Sequence, residues 1–208
     1  MNYESPLEFG FSKQKALKKK TAAELINDFQ TPEDVCRYMV SLLPNHVKTV
    51  LEPTKGNGNL VAALGNYDVT APDDFFLMDK SIKFDAVVMN PPFSSGSAIL
   101  TNAPKNIDLR GMKAGHYFLT QCMQKSDIII ALMPWFTISD SDVRLRYLKS
   151  FGIKSITALP RKTFQYARIQ TVIIELHRGF SGGGTIFNVY DKLPYIPSDA
   201  QKKQTSIF

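Results

Sequence analysis

The sequence has none of the features that direct a protein to a membrane, to an oxidising compartment or to a metal ion. No apolar run approaches the roughly 20 residues that span a bilayer, and the first residues show no signal-peptide pattern. Cys36 and Cys122 lie far apart within apolar helical patterns, which predicts reduced core residues. The three histidines lack the spacing of metal ligands. We therefore expect a soluble cytoplasmic protein with no membrane partner and no metal.

Acidic residues are few relative to basic ones. The chain carries 25 Lys and Arg against 19 Asp and Glu, a net charge of +6, and its pI is about 9.2. This balance favours a polyanionic partner such as nucleic acid, although charge alone does not establish one. The 208 residues, 44% of them hydrophobic, are enough for one domain with a full core.

The composition divides the chain into three segments. Residues 1–28 are polar and basic, and we expect a flexible arm that is either simply solvated or contacts phosphates. Residues 29–190 carry the apolar patterns of a single folded domain. Residues 191–208 resemble a loosely held C-terminal tail.

Apolar runs typical of strands alternate with helical patterns, which argues for a mainly parallel sheet covered on both faces. Thr31 is expected to cap the first helix, with Pro32 at its first position. Residues 182–184 are three glycines and predict a flexible turn. Predicted strands lie at 48–52, 67–71, 84–90, 127–134, 153–160 and 170–177, and predicted helices at 32–43, 60–64, 112–125 and 139–151.

The most informative stretch is Asn90-Pro91-Pro92-Phe93, which follows an apolar run. Two successive prolines cannot continue a central strand, because each removes a backbone donor. The strand therefore stops and leaves an amide, two carbonyls and an aromatic ring at its carboxyl end, where ligands bind in open α/β sheets. Hydrogen-bond acceptors beside a stacking ring suit a planar group that carries an NH2, such as adenine.

A second stretch, residues 52–59, follows the first predicted strand with the sequence Glu-Pro-Thr-Lys-Gly-Asn-Gly-Asn. Gly56 and Gly58 can adopt positive φ and let the backbone approach a ligand closely. Glu52, at the strand end, can hold a cationic or hydroxyl group of that ligand. The stretch has neither the Gly-Lys-Ser/Thr of a phosphate-binding P-loop nor the three glycines of the dinucleotide fingerprint.

Together these stretches resemble motifs of the S-adenosylmethionine-dependent methyltransferases. The Glu52-Pro53-x-x-Gly56-x-Gly58 pattern resembles motif I, and residues 90–93 resemble motif IV of the enzymes that methylate adenine N6. The order is similar to the gamma class of DNA adenine methyltransferases, in which a segment like Phe29-Gln30-Thr31-Pro32 precedes the glycine loop. The resemblance covers residues 28–178. It implies a Rossmann-like class I α/β fold with a mainly parallel seven-stranded sheet, helices on both faces and an antiparallel last strand.

The resemblance also implies which residues bind the cofactor, S-adenosyl-L-methionine. Thr31, at a helix start, would contact the methionine carboxylate, and Glu52 would face the methionine amine. Asp74-Phe75 resembles motif III and would contact the cofactor's adenine. The remaining predicted cofactor-lining residues are Phe29, Pro53, Gly56 and Gly58.

Residues 90–93 would form the catalytic site in the same comparison. Asn90 and the Pro91 carbonyl would accept hydrogen bonds from the target N6, Phe93 would stack on the base, and Pro92 completes the motif. The N6 lone pair is delocalised into the ring and is a poor nucleophile. Two acceptors that favour a tetrahedral nitrogen would localise it, so positioning would supply most of the catalysis. A base inside a duplex must be flipped out to reach such a pocket.

Simpler structural roles remain open for several of these residues. The Asn-Pro-Pro run could be a strand-ending turn and Glu52 a surface acid. Asp74 could cap a turn, with Phe75 in the core. Trp135, the only tryptophan, and Phe164 could each border the target pocket or pack in the core.

The sequence departs from the gamma class in three ways. The span from Gly58 to Asn90 is short, so the helix between the second and third strands could be missing. No acid clearly replaces the second acidic motif that holds the cofactor ribose, and Asp73 is the nearest candidate. In addition, only some 30 residues follow the last predicted strand, so we expect a compact form without the large target-recognition domain of site-specific enzymes.

The sequence thus predicts a site-specific DNA adenine-N6 methyltransferase with relaxed or partner-dependent specificity. Such an enzyme fits a restriction-modification role, and a partner subunit or a homodimer is possible. Methylation of RNA adenine or of a protein glutamine amide is an alternative, because an amide NH2 poses the same chemical problem. A further alternative is a non-catalytic nucleic-acid-binding module that retains the fold.

Overall fold

The computed structural model describes residues 30–93, 102–109, 113–164 and 169–197. The predicted basic arm, Phe29 and part of the C-terminal tail lie outside the described residues. Within the described ranges, no helix is both long and apolar enough to cross a membrane.

Seven strands form one sheet in the order β2-β1-β3-β4-β6-β5-β7. The four strands β2, β1, β3 and β4 are parallel neighbours, whereas β6 lies antiparallel between β4 and β5. The strand bounds are β1 (Thr49–Leu51), β2 (Asp68–Thr70), β3 (Ala86–Met89), β4 (Ile128–Pro134), β5 (Ile153–Ala158), β6 (Thr171–His177) and β7 (Ile186–Val189).

Helices cover both faces of the sheet because successive strand residues point to opposite sides. Val88 belongs to a buried cluster with Met39 of the first helix, whereas Val87 belongs to a second cluster with Phe118 of the third. Every residue of β3 and β4 is buried, as expected for central strands covered on both faces. The helices are α1 (Glu33–Ser41), α2 (Asn59–Ala63), α3 (Lys113–Cys122), α4 (Phe136–Ser139) and α5 (Asp142–Phe151).

The chain order makes the carboxyl ends of β1 and β3 a position at which a ligand can bind. From β1 the chain moves to β2 on one side, and it then returns to β3 on the other side. Ligands of open α/β folds bind outside the carboxyl ends of the strands at such a switch point. Residues 52–59 and 90–93 follow β1 and β3 directly, so the fold places both sequence motifs there.

The mixed, mainly parallel seven-stranded sheet is confirmed, and its antiparallel member is β6. β7 follows β6 in the chain and pairs in parallel with β5 at the sheet edge. The sequence analysis missed β7 as an element. Its residues are mostly exposed. Because few of its side chains pack on the core, its sequence need not alternate apolar and polar residues as a half-buried strand does.

The expected start of α1 is wrong by one position. The helix begins at Glu33, Pro32 occupies the N-cap position, and no side chain caps it. The Thr31 hydroxyl instead accepts a hydrogen bond from Asn90 Nδ2 at 3.0 Å. A contact 59 residues away in the sequence has therefore replaced the local capping bond.

The connection between β2 and β3 is as short as expected. Residues 71–85 are all described and contain only a 3₁₀ turn, Phe75–Leu77. The helix that joins these strands in longer methyltransferases is absent from this span. The residues of β2 are accordingly mostly exposed.

Gly152 gives a direct test of the packing between α5 and β6. It ends α5 as predicted, with φ +125°, and a Cβ there would lie 2.2 Å from the His177 carbonyl oxygen. We expect Gly152→Ala to lower the free energy of unfolding by roughly 2–4 kcal/mol, because both the backbone and the contact become strained. Urea denaturation measures this. Gly182→Ala is the matched control, since nothing lies within 4 Å of its Cβ position, and equal stability losses in both variants would contradict the account.

Candidate functional site

The motifs that follow β1 and β3 meet through one hydroxyl group. Thr54 Oγ1 lies 3.2 Å from Glu52 Oε1 and 3.2 Å from the Asn90 carbonyl oxygen. The parallel register of the two strands pairs Leu51 with Val87 and so brings their ends side by side. The structure therefore unites the two stretches that the sequence analysis singled out.

Glu52 is a buried carboxylate with one unused oxygen. Glu52 directly follows β1 and is only 1% exposed. Its Oε1 accepts a hydrogen bond from the Thr54 backbone N–H at 3.0 Å. Among the described residues, Oε2 has no hydrogen-bond partner. Burial raises the pKa of Glu52 to about 7, against the lowering effects of the Thr54 hydrogen bonds and the Lys55 charge. An unpartnered buried oxygen on an acid suits a cationic ligand. The surface-acid interpretation is wrong.

The glycine loop closes against the segment that leads into α1. Gly56 and Gly58 have φ of +50° and +87°, the positive values that the sequence predicted for both. A Cβ at Gly56 would lie 2.9 Å from Gln30 Oε1, and the Asn57 backbone N–H donates to the same oxygen at 3.0 Å. Gln30 is thus a structural partner of the loop, a role that its polar character alone did not indicate.

Asn90 is half-buried and fixed from the α1 side. Its Nδ2 donates to Thr31 Oγ1 at 3.0 Å, and the Thr31 carbonyl accepts from Asn59 Nδ2 at 2.9 Å. The buried Thr31 therefore connects the end of β3 with the start of α2. These groups border an open cleft of about 290 Å³, lined by Gln30, Thr31, Thr54, Lys55, Gly56, Asn59, Leu60 and Asn90.

Pro91, Pro92 and Phe93 pack against α3. Pro91 is buried, whereas Pro92 and Phe93 are half-buried. A Cβ at Gly115 of α3 would lie 3.3 Å from Phe93 Cδ1 and 3.4 Å from the Pro92 carbonyl oxygen. Glycine at 115 lets the helix approach this turn closely. The sequence analysis missed Gly115, because a single glycine inside a helical pattern carries no signal about its distant neighbour.

Asp74 and Phe75 have structural roles in the protein. Asp74 Oδ1 accepts from the Phe76 backbone N–H at 2.8 Å and caps the 3₁₀ turn, while Oδ2 accepts from Asn102 Nδ2 at 2.7 Å. Phe75 is buried against Phe118 with ring centroids 5.4 Å apart. These contacts support the capping and core interpretations. The cofactor role of the pair stays a prediction.

Asp73, the candidate for the ribose-binding acid, lies in solvent. Its side chain is 94% exposed and pairs with Lys55 Nζ at 2.5 Å. The hydrogen bond and charge of Lys55 lower the pKa of Asp73. Since Lys55 lines the cleft, Asp73 is close to it but is not held by the core.

The two other aromatic candidates differ in their surroundings. Phe164 is 7% exposed and belongs to the buried cluster that contains α1, so it is a core residue. Trp135 is half-buried, and its ring packs against Phe187 of β7 with centroids 5.9 Å apart. Neither contact brings the ring into the cleft described above.

Cysteine and metal chemistry find no support in the described ranges. Cys36 and Cys122 are free and buried, and burial is the main cause that raises the pKa of Cys36 to about 12. Such thiols are poor nucleophiles at neutral pH. No group of three or more His, Cys, Asp or Glu side chains in these ranges is placed to hold a metal ion.

Comparisons with known proteins were made by sequence and by structure. No family model matches the chain, and no curated protein sequence matches it. The structure is similar to a protein described as a modification subunit of a type I restriction enzyme from Vibrio vulnificus YJ016, with 21% identity and a TM-score of 0.58. That alignment covers 82% of this chain and 48% of the other.

Two further solved structures are similar to the chain. A type I restriction-modification methyltransferase subunit from Streptococcus thermophilus is 18% identical with a TM-score of 0.59, over 86% of this chain and 52% of the other. A protein described as a class I S-adenosylmethionine-dependent methyltransferase from Listeria monocytogenes is 16% identical with a TM-score of 0.59, over 86% and 71%. The chain spans about half the length of the two restriction-system subunits. The comparisons confirm the fold predicted from the motifs: the chain has the fold of class I methyltransferases.

Proposed function

We propose that the chain transfers a methyl group from S-adenosyl-L-methionine to the exocyclic N6 amino group of adenine in DNA. The observation that carries the proposal is the hydrogen-bonded unit of Glu52, Thr54 and Asn90 at the carboxyl ends of β1 and β3. Direct transfer between two bound molecules needs both to be held close together, and this unit joins the proposed donor end to the proposed acceptor end.

The residues at the end of β1 fit the cofactor. Glu52 Oε2 is buried without a partner among the described residues, and a ligand ammonium group would satisfy it. Gly56 and Gly58 keep the loop free of side chains where the ligand would lie, and Pro53, which precedes them, is buried. Thr31 would contact the methionine carboxylate, and Phe29, Asp74 and Phe75 complete the predicted set. The cofactor supplies a methyl group on a sulfonium, which is already a good donor.

The residues at the end of β3 fit an amino group on a planar ring. In the proposed mechanism, the Asn90 side-chain oxygen and the Pro91 carbonyl accept hydrogen bonds from N6 and favour a tetrahedral nitrogen. Phe93 stacks on the flipped base. The turn that carries Pro92 and Phe93 packs against α3 at Gly115. Removing such a preset acceptor costs about 10²–10³ in rate in other enzymes.

The positive charge of the chain and the neighbours described as restriction-system subunits favour DNA as the substrate. We propose that residues 29–190 form the catalytic domain, with residues 1–28 as a basic arm and residues 191–208 as a tail. We propose that the sequence specificity is relaxed or depends on a partner subunit or homodimer. RNA adenine and a protein glutamine amide are outcomes of the assay below.

We expect the protein to form N6-methyladenine when it is incubated with labelled S-adenosylmethionine and DNA. Asn90→Ala should lower this rate at least about 100-fold and change cofactor affinity by less than a few-fold, because it removes an acceptor and not the cofactor's contacts. Calorimetry and product analysis measure the two effects.

Asn66→Ala is the matched control, since Asn66 is exposed near the amino end of β2, away from the cleft. RNA and glutamine-containing peptides are tested in parallel as acceptors. Absence of labelled product with every acceptor would refute the proposal. Loss of both transfer and cofactor binding in Asn90→Ala would assign that residue a structural role.

Glu52→Gln should make the protein more stable and bind the cofactor less well. The pKa of Glu52 is 4.5 in the unfolded chain and about 7 in the folded protein, so the folded state holds its proton more tightly. The wild-type free energy of unfolding therefore falls as pH rises from 4.5 to 7. The variant should gain nothing at pH 4.5 and on the order of 3 kcal/mol at pH 8.

Denaturation at both pH values tests the stability effect, and calorimetry should show roughly 10-fold or weaker cofactor binding. Glu33→Gln is the control, because that exposed acid pairs only with its helix neighbour Arg37. A Glu52→Gln protein that is less stable at every pH would show that the carboxylate is already satisfied.

A further inference from the structure

We infer that Thr54 is a positioning residue that couples the donor site to the acceptor site. This inference rests on the proposed function and concerns a residue that the motif comparison left undefined. Its hydroxyl stands between Glu52 Oε1 and the Asn90 carbonyl oxygen, 3.2 Å from each. Thr54 also lines the cleft, so its hydroxyl is next to the space that the ligands would occupy.

The hydroxyl has only one hydrogen, so it cannot donate fully to both acceptors. A free carboxylate is the stronger acceptor, since hydrogen bonds to charged groups are roughly twice as strong as neutral ones. Above pH 7, where Glu52 is ionised, and with no cation at Oε2, the hydroxyl is directed towards Glu52. A ligand ammonium at Oε2 weakens that attraction and lets the hydroxyl turn towards Asn90. Occupation of the donor site is thereby transmitted to the acceptor site.

The Asn90 carbonyl, which Thr54 contacts, is important for positioning Asn90. The peptide between Asn90 and Pro91 has no N–H, so its carbonyl is the only polar group through which its plane can be held. That plane determines the direction of the Asn90 side chain on one side and of the Pro91 carbonyl on the other. Both groups are the proposed acceptors for N6. On the opposite side, Thr31 holds the Asn90 amide at 3.0 Å.

The backbone of Thr54 keeps the hydroxyl in place independently of this choice. Its N–H donates to Glu52 Oε1 at 3.0 Å, and Pro53 before it is buried. Replacing the hydroxyl by a methyl group of similar size therefore removes the coupling and leaves the loop anchored. Valine does this because it keeps the β-branched shape.

The test compares Thr54→Val with Thr54→Ser, which keeps the hydroxyl. In wild type, S-adenosylhomocysteine should tighten binding of an adenine-containing DNA duplex about 5-fold or more, as expected for coupled sites. Thr54→Val should reduce this factor below 2-fold, and its single-turnover rate at saturating cofactor should fall about 10-fold or more. Thr54→Ser should stay within about 3-fold of wild type in both measurements.

Far-UV circular dichroism and thermal melts check that each variant is folded, and Thr54→Ala replaces Thr54→Val if the latter is not. An unchanged coupling factor in the variant that lacks the hydroxyl, or equal defects in the serine and valine variants, would overturn the inference. A wild-type protein with no transfer to any acceptor is a different result and overturns the proposed function itself.

Discussion

The site depends on the parallel pairing of β1 with β3. These strands are adjacent in the sheet but separated in the chain by β2, and their register places Leu51 beside Val87. Each strand is followed at once by a residue type that cannot continue it, Glu52-Pro53 in one case and Asn90-Pro91 in the other. The segments that follow β1 and β3 therefore leave the sheet at the same edge, and the Thr54 hydroxyl contacts both. A register shift of one residue would reverse the side-chain directions and separate these groups.

Glu52 shows how such a site opposes stability. A carboxyl group that is almost fully buried with one unpartnered oxygen is unfavourable for folding at neutral pH, and burial raises its pKa to about 7. Glu175 on β6 is the contrasting case. It is equally buried, but Lys154 and Ser155 donate to it at 2.8 and 2.7 Å. Although its burial raises the pKa, the neighbouring His177 imidazole, whose Nε2 lies 3.0 Å from Oε1, and the hydrogen bonds from Lys154 and Ser155 outweigh that effect and lower it to about 2. A satisfied acid supports the sheet, whereas an unsatisfied acid at a strand end is available for a ligand.

The sequence predicts those parts of the structure that a local pattern determines. The six predicted strands, the end of α5 at Gly152 and the glycine loop all follow from apolar runs and turn residues. β7 was missed because its residues are mostly exposed. The predicted capping role of Thr31 is wrong because its hydroxyl bonds to Asn90, 59 residues away. The packing role of Gly115 was not predicted because the residues that it contacts, Pro92 and Phe93, also belong to another segment. Contacts between distant segments complete the site, and a single sequence does not display them.

The described residues are arranged unequally around the two ends of the proposed cofactor. At the methionine end, Thr31, Glu52 and the glycine loop are fixed by short hydrogen bonds and by the core. At the adenosine end, the connection from β2 to β3 is short, Asp73 is solvated and Asp74 is already engaged by Phe76 and Asn102. In the proposed binding mode, specific recognition would therefore be concentrated at the end of the cofactor that carries the ammonium group, and Thr54 connects that end to Asn90.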